Sequence, residues 1–183
     1  MKVKETKLKD CFIIEPNVFK DNRGYFFESF NQSKFKDLTG QPGNFVQDNQ
    51  SASTYGVVRG LHFQKGEYAQ AKLVRVLEGI VLDVAVDLRE GSGTYGQWVS
   101  VKLTADNNLQ LYVPRGFAHG FSVLSETAVF AYKCDNIYNK ESEGGIRYND
   151  PELNIDWGIP EDKMNLSEKD LALSSLNSSM SYK

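Results

Sequence analysis

Residues 57–72, VVRGLHFQKGEYAQAK, open on a short apolar run, break it at Gly60, and carry Arg59, His62 and Lys72 around that break. The chain has two histidines, and His119 sits in a segment of similar design, residues 112–123, YVPRGFAHGFSV. Two apolar segments that each deliver one imidazole predict a barrel with a polar site in its mouth. Strict alternation puts Arg59 and His62 on opposite faces of a strand. Both line one pocket only if a bulge near Gly60 turns the chain. A glycine inside a strand also lets another backbone or a ligand come close.

Outward from this stretch the hydrophobic period is two for most of residues 57–134, which predicts strands and excludes a helical bundle. AKLVRVL (71–77) leads through a Glu78-Gly79 turn into IVLDVAVDLR (80–89), where Asp83 and Asp87 share a face with Val81 and Ala85. EGSGTYG is a glycine-rich turn, and QWVSVKL (97–103) alternates with Val99, Val101 and Leu103 inward. After a turn at ADNN, the segments LQLYVP, HGFSVL and AVFAYKC complete the series. Short strands with frequent turn signals predict an all-β sandwich or barrel.

The flanks carry the few helices. CFIIE (11–15) reads as a strand ended by Pro16. DNRGYFFESF (21–30) turns at Asn22-Arg23-Gly24 and is expected to run extended from Tyr25 to Phe30, with Phe26, Glu28 and Phe30 on one face. Asn31 is an N-cap for a short helix, QSKFKDLT, closed by Gly40. Gln47 and Asn49 share a face of the next extended segment, and Asp48 faces away. Residues 140–166 read as ordered loop, LSEKDLAL as a short helix capped at Ser167, and the tail from about residue 175 as mobile.

At 183 residues, with 40% apolar and 25% charged residues, the chain predicts one domain over residues 1–183. A net charge of −3 argues against non-specific nucleic-acid binding, yet leaves room for an anionic small molecule held by a few arginines. The first residues lack the apolar run of a secretory signal. No segment approaches the roughly 18 apolar residues of a membrane span. The expectation is a cytoplasmic protein, away from membranes, in which Cys11 and Cys134 stay reduced and structural.

The residues alone leave several roles open. His62 reads as a satisfied strand histidine or as a catalyst, and Tyr132 as a core tyrosine or as a general acid. Lys72 reads as a surface charge or as an oxyanion stabiliser. Arg23, Arg59 and Lys169 read as solvated charges or as a phosphate clamp. His62-Phe63-Gln64 lacks the second imidazole of a metal-binding barrel motif, so no metal is expected. No phosphate loop or Ser-His-Asp order is present.

At VRGLHFQ (58–64), AQAKLVRVLEGIVLDVAVDLR (69–89), YGQWVSVKL (95–103) and VPRGFAHGFSVLSE (113–126) the chain resembles the dTDP-4-dehydrorhamnose 3,5-epimerase family. RGYFFESF, FVQDN, YNKESEGGIRYND and LSEKD extend the likeness over residues 12–170. The resemblance implies a cupin-like β-jelly-roll barrel that works without metal or cofactor. It implies inversion of C3 and C5 beside the C4 ketone of dTDP-4-dehydro-6-deoxy-D-glucose, in dTDP-L-rhamnose biosynthesis. By that resemblance His62 is the base, Asp170 its carboxylate partner, Lys72 the cation at the enolate oxygen and Tyr132 the acid on the opposite face. Arg23 and Arg59 are expected on the diphosphate, Phe26 and Glu28 around the thymidine, and Gln47 and Asn49 as polar contacts there. His119, Tyr138, Glu143 and Lys169 complete the expected pocket. The strand from Arg23 to Glu28 is expected to cross to the other subunit of a homodimer with shared sites. Relatives of the same fold invert only C3 or only C5, or isomerise the ketone, so those outcomes stand as alternatives.

Overall fold

Alternation along residues 72–78 sends Lys72, Val74 and Val76 to one face and Leu73, Arg75 and Leu77 to the other. The architecture is made of strands of this kind. In the computed structural model, which describes residues 1–178, two antiparallel sheets face each other as a cupin-like jelly roll. One sheet holds, in order, β1 (Lys2–Glu5), β2 (Phe12–Glu15), β10 (Gln110–Val113), β7 (Lys72–Glu78), β12 (Thr127–Cys134) and β5 (Gln47–Thr54). The other holds β13 (Glu143–Gly145), β6 (Val58–Gln64), β11 (Phe117–Val123), β8 (Ile80–Asp87) and β9 (Trp98–Thr104).

The inner faces of the two sheets supply the main core, including Val74, Val81, Leu103, Leu111, Val123 and Phe130. Packing of this kind leaves the backbone paired within each sheet and buries alternate side chains between them. A second apolar cluster sits on the outer face of the five-stranded sheet. There Leu61, Phe63, Val84, Val86 and Ala118 are covered by Ile146, Trp157 and Ile159 of the C-terminal region. The region expected as ordered loop is therefore a lid on that sheet, and β13 is a short strand within it.

The helix α1 (Gln32–Thr39) forms where the sequence predicts it. The Asn31 side chain accepts from the Lys34 amide, and Gly40 takes the left-handed conformation at φ 72° that ends the helix. Its Phe35 is fully buried with Phe12, Ile14, Leu73 and Tyr112, which closes the outer face of the six-stranded sheet at one end.

The segment before it departs from expectation. A hairpin of β3 (Phe19–Asp21) and β4 (Gly24–Phe26) forms, but the extended strand ends at Phe26 instead of running on to Phe30. Its partner is only three residues long, so no ladder exists within the chain to carry it further. Phe30 instead turns inward, edge-on to Phe45 at 5.1 Å between centroids.

At the other end α2 (Glu168–Leu171) is capped by the Ser167 side chain, which accepts from the Asp170 amide. Leu176 is buried, and its N–H donates to Asp150 Oδ2 at 2.8 Å. Residues 179–183 of the expected mobile tail lie outside the described residues. No helix among the described residues is long and apolar enough to cross a membrane.

Candidate active site

The first imidazole owes its position to a bulge. His119 pairs with His62, whereas Phe121 pairs with Arg59, so β6 spends one residue more than β11 over this interval. Gly60 makes the bulge possible. It has φ +119°, and a Cβ there would lie 2.7 Å from Gly120 Cα and 2.8 Å from the His119 carbonyl oxygen. The extra residue resets the alternation, and Arg59 and His62 line one cleft of about 450 Å³.

Chain pairing at the start of β6 brings in the second group. Asn165 bridges Val57 in parallel, donating to Gly56 O and accepting from Val58 N–H. That contact seats α2 beside β6, and Asp170 Oδ1 stands 2.6 Å from His62 Nε2. Ser167 Oγ donates to Asp170 Oδ2 at 2.7 Å while accepting the Asp170 N–H. Burial pushes the Asp170 carboxyl up, but His62, Ser167 and the Gly60 N–H outweigh it and hold it below the usual carboxylate range.

On the other side of the ring, Glu143 Oε1 lies 3.8 Å from His62 Nδ1. Burial pushes Glu143 up too, and Lys169, 2.5 Å from Oε1, and Tyr138, whose hydroxyl donates to Oε2 at 3.0 Å, bring it below its ordinary value. Two carboxylates thus flank an imidazole that becomes cationic whenever it takes a proton.

The six-stranded sheet contributes Lys72 from β7 and Tyr132 from β12. Lys72 Nζ sits 5.8 Å from the centre of the Tyr132 ring. Burial lowers the lysine pKa, against the opposing pull of Cys134, Asp83 and Glu143. Burial raises that of Tyr132, so the phenol keeps its proton and can donate it. Cys134 behind them is pushed up to about 11 by burial and stays a thiol.

A polar arm lies along the rim. Gln47 Nε2 donates to Asn49 Oδ1, and the Tyr138 N–H donates to Gln47 Oε1 at 3.0 Å. Among the described residues Arg59 meets the neutral Ser53 hydroxyl alone, at 3.2 and 3.3 Å, which leaves its charge available to an anion. On the inner wall His119 Nε2 lies 2.8 Å from Asp83 Oδ1, with both residues buried. Burial raises the Asp83 pKa, and His119 and Lys72 pull against it. Phe63, Phe121 and Phe130 supply apolar surface.

Three expected residues lie apart from the cleft. Arg23 is exposed on the hairpin and paired with Asp21 at 2.5 Å, and Phe26 beside it is 69% exposed. Glu28 receives Lys34 at 2.8 Å and Asn31 at 3.1 Å. All the other candidate residues line the cleft. Gln64, Gln70 and Ser167 join them, although none of the three has a role in the site on the sequence reading. The signal for Asp83 was present, since a carboxylate among Val81 and Ala85 on an inward face demands a partner. Among the described residues no three His, Cys, Asp or Glu gather into a metal-binding group. A second hollow of about 310 Å³ lies over Leu73, Arg75, Leu77, Ala131 and Lys133, but it holds no imidazole.

The family model for dTDP-4-dehydrorhamnose 3,5-epimerase matches residues 5–178. The chain belongs to the dTDP-4-dehydrorhamnose 3,5-epimerase family. Within it, the dTDP-4-dehydrorhamnose 3,5-epimerase of Escherichia coli K12 is 57% identical over 157 residues, 86% of this chain and 85% of that one. The crystal structure of the family member from Elizabethkingia anophelis NUHP1 matches at 64% identity and a TM-score of 0.95, over 97% of each chain. The dTDP-6-deoxy-D-glucose-3,5-epimerase of Legionella pneumophila Philadelphia 1, solved in complex with dTDP-4-keto-L-rhamnose, matches at 50% identity and a TM-score of 0.92. That match covers 96% of this chain and 93% of the other.

Proposed function

We propose that this epimerase inverts C3 and C5 of dTDP-4-dehydro-6-deoxy-D-glucose to give dTDP-4-dehydro-L-rhamnose. The observation that carries the reading is a single cleft in which one sheet supplies His62 and the other supplies Lys72 and Tyr132. Hydrogens on the carbons flanking a ketone are acidic because the carbanion is an enolate, with its charge on the ketone oxygen. Catalysis then needs a base on one face, an acid on the other, and a positive group at the oxygen.

His62 takes the proton, and the C–H electrons pass into the new C=C bond as the carbonyl becomes an enolate. Asp170 orients the ring and balances its charge, and Lys72 meets the enolate oxygen. Tyr132 then delivers its proton to the opposite face, which converts removal and return into inversion. Water restores the Tyr132 proton and takes the one held by His62. The same cycle serves the second carbon, since both flank the same ketone.

Arg59 meets the diphosphate through its guanidinium. Gln47, Asn49 and Tyr138 hold the nucleoside end, and His119, Glu143 and Lys169 close around the ligand. The hairpin that exposes Phe19 at 65%, Tyr25 at 62% and Phe26 at 69% leaves an apolar surface in need of a cover. A second copy supplies it in a homodimer, and Arg23, Phe26 and Glu28 of each protomer complete the site of the other. The free thiols of Cys11 and Cys134 suit a cytoplasmic location.

The test is turnover of dTDP-4-dehydro-6-deoxy-D-glucose in D2O followed by NMR. Deuterium at both C3 and C5 of an L-configured product is the expected result. Label at one carbon alone would restrict the activity to a single epimerisation, and no label would remove it.

A further inference from the structure

The fold buries several carboxylates, and they differ in how completely they are satisfied. Asp87 accepts from the Arg89 N–H and guanidinium and from the hydroxyls of Ser92 and Thr94. Asp150 accepts from the amides of Glu152, Leu153 and Leu176. Each ties loops together, and both oxygens of each are used. Asp83 is different. It is fully buried on β8, its Oδ1 meets only His119, and its Oδ2 has no hydrogen-bond partner among the described residues.

A carboxylate placed for folding alone gains from filling both oxygens, and an apolar side chain in the same place is often no less stable. The one group Asp83 does hold lines the cleft. His119 sits opposite His62 in the ladder between β6 and β11. Its ring stacks on Phe130 at 6.1 Å and 21°, which fixes the plane but not which nitrogen faces inward. With Nε2 engaged by Asp83, Nδ1 is the nitrogen left to meet a ligand. The site thus contains two imidazole–carboxylate pairs on neighbouring strands, His62 with Asp170 and His119 with Asp83.

We propose that Asp83 is a positioning residue, which holds His119 by Nε2 and so presents Nδ1 to a hydroxyl of the bound sugar ring. The hydroxyl anchors the ring so that the carbons beside its ketone meet His62 on one face and Tyr132 on the other. This role rests on the epimerase reading above.

The test combines NMR with kinetics. In protein labelled with nitrogen-15 at histidine there are two imidazoles, and a His62→Asn variant assigns the signals of His119. The wild type is expected to show the proton of the pair on His119 Nε2, a reading that requires no change at Asp83. Asp83→Leu is expected to lose that signature and to drop kcat by about 10- to 100-fold, the usual loss with a hydrogen bond to a charged group. KM is expected to move far less. Asp83→Asn keeps an acceptor for the Nε2–H and is expected to recover kcat to within about fivefold of wild type. A purely structural role moves the melting temperature of both variants and leaves the His119 tautomer and the rescue unexplained. An Nδ1–H tautomer in the wild type, or full kcat in Asp83→Leu, would overturn the proposal. Wild-type turnover reads the epimerase assignment separately from the state of the pair.

Discussion

His62 Nε2 and Asp170 Oδ1 stand 2.6 Å apart although 108 positions separate them in the chain. The parallel bridge between Val57 and Asn165 creates the contact, because it lays the start of α2 against the start of β6. A carboxylate in this place fixes the ring and offsets the charge it acquires. Asp170→Asn is expected to lower kcat by about 10²- to 10⁴-fold with little change in KM. Steady-state assays with the product trapped by reduction measure both constants, and an unchanged kcat would remove Asp170 from the mechanism.

Burial moves two groups of the opposite wall in opposite directions, Lys72 downward from 10.5 and Tyr132 upward from 10.0. The lowered Lys72 pKa means that its charge is lost below the ordinary lysine value, so activity is expected to fall on the alkaline side. Lys72→Arg is expected to lower kcat yet abolish that alkaline limb, because guanidinium stays charged. Lys72→Met is expected to cost about 10²- to 10³-fold below that limb, and the deficit shrinks across it as the wild type loses its charge. The pH profiles of kcat for the three proteins decide the assignment.

Away from the cleft, Asp87 anchors Arg89, which in turn reaches Asp10 at 2.8 Å and ties the β8–β9 connection to the N-terminal strands. Burial pushes the Asp87 carboxyl up, but Arg89, Ser92 and Thr94 hold it at about 2, against 3.8 for the unperturbed group. A folded-state pKa below the unfolded value gives stability that is complete above the unfolded pKa and lost as pH falls through the folded one. The contribution is roughly 1–2 kcal/mol. Asp87→Asn is expected to lower Tm by about 2–8 °C at pH 7. That difference shrinks as pH falls through about 4 and vanishes near about 2. Calorimetry across that window checks the sign.

A site shared between two subunits, as proposed above, has its own signature. Arg23 lies on the exposed hairpin, apart from the cleft of its own chain. His62→Ala and Arg23→Ala are each expected to depress activity severely. Unfolding and refolding them together is expected to restore activity, because a mixed dimer contains one site with neither change. Assays on the mixture at a series of ratios check this, and activity no higher than either parent would place Arg23 outside the site.

Much of the architecture was legible in the sequence because local chemistry agreed with the final fold. Asn31 and Gly40 bracket a helix whose ends they chemically determine, and the period of two along residues 71–134 yields the strands in order. The end of β4 at Phe26 was not legible, since it depends on the length of a partner strand. The meeting of Arg59 and His62 hung on a bulge that alternation demands but does not display, and Gly60 was its only trace. The pairing of His62 with Asp170 came from resemblance. Spacing along the chain carries no sign of a bridge between Val57 and Asn165. Asp83 stood in plain view as a charge on an inward face, yet its partner became visible only when β11 was laid beside β8.

Division of labour between two walls of one cleft is the central claim, and Tyr132→Phe in D2O tests it most directly. Ring hydrogens at C3 and C5 are expected to exchange for deuterium while product formation falls by at least about 10²-fold, because His62 removes each proton and returns a deuteron to the same face. Retention of full inversion by Tyr132→Phe, or loss of exchange together with inversion, would contradict a base and an acid acting from opposite sides.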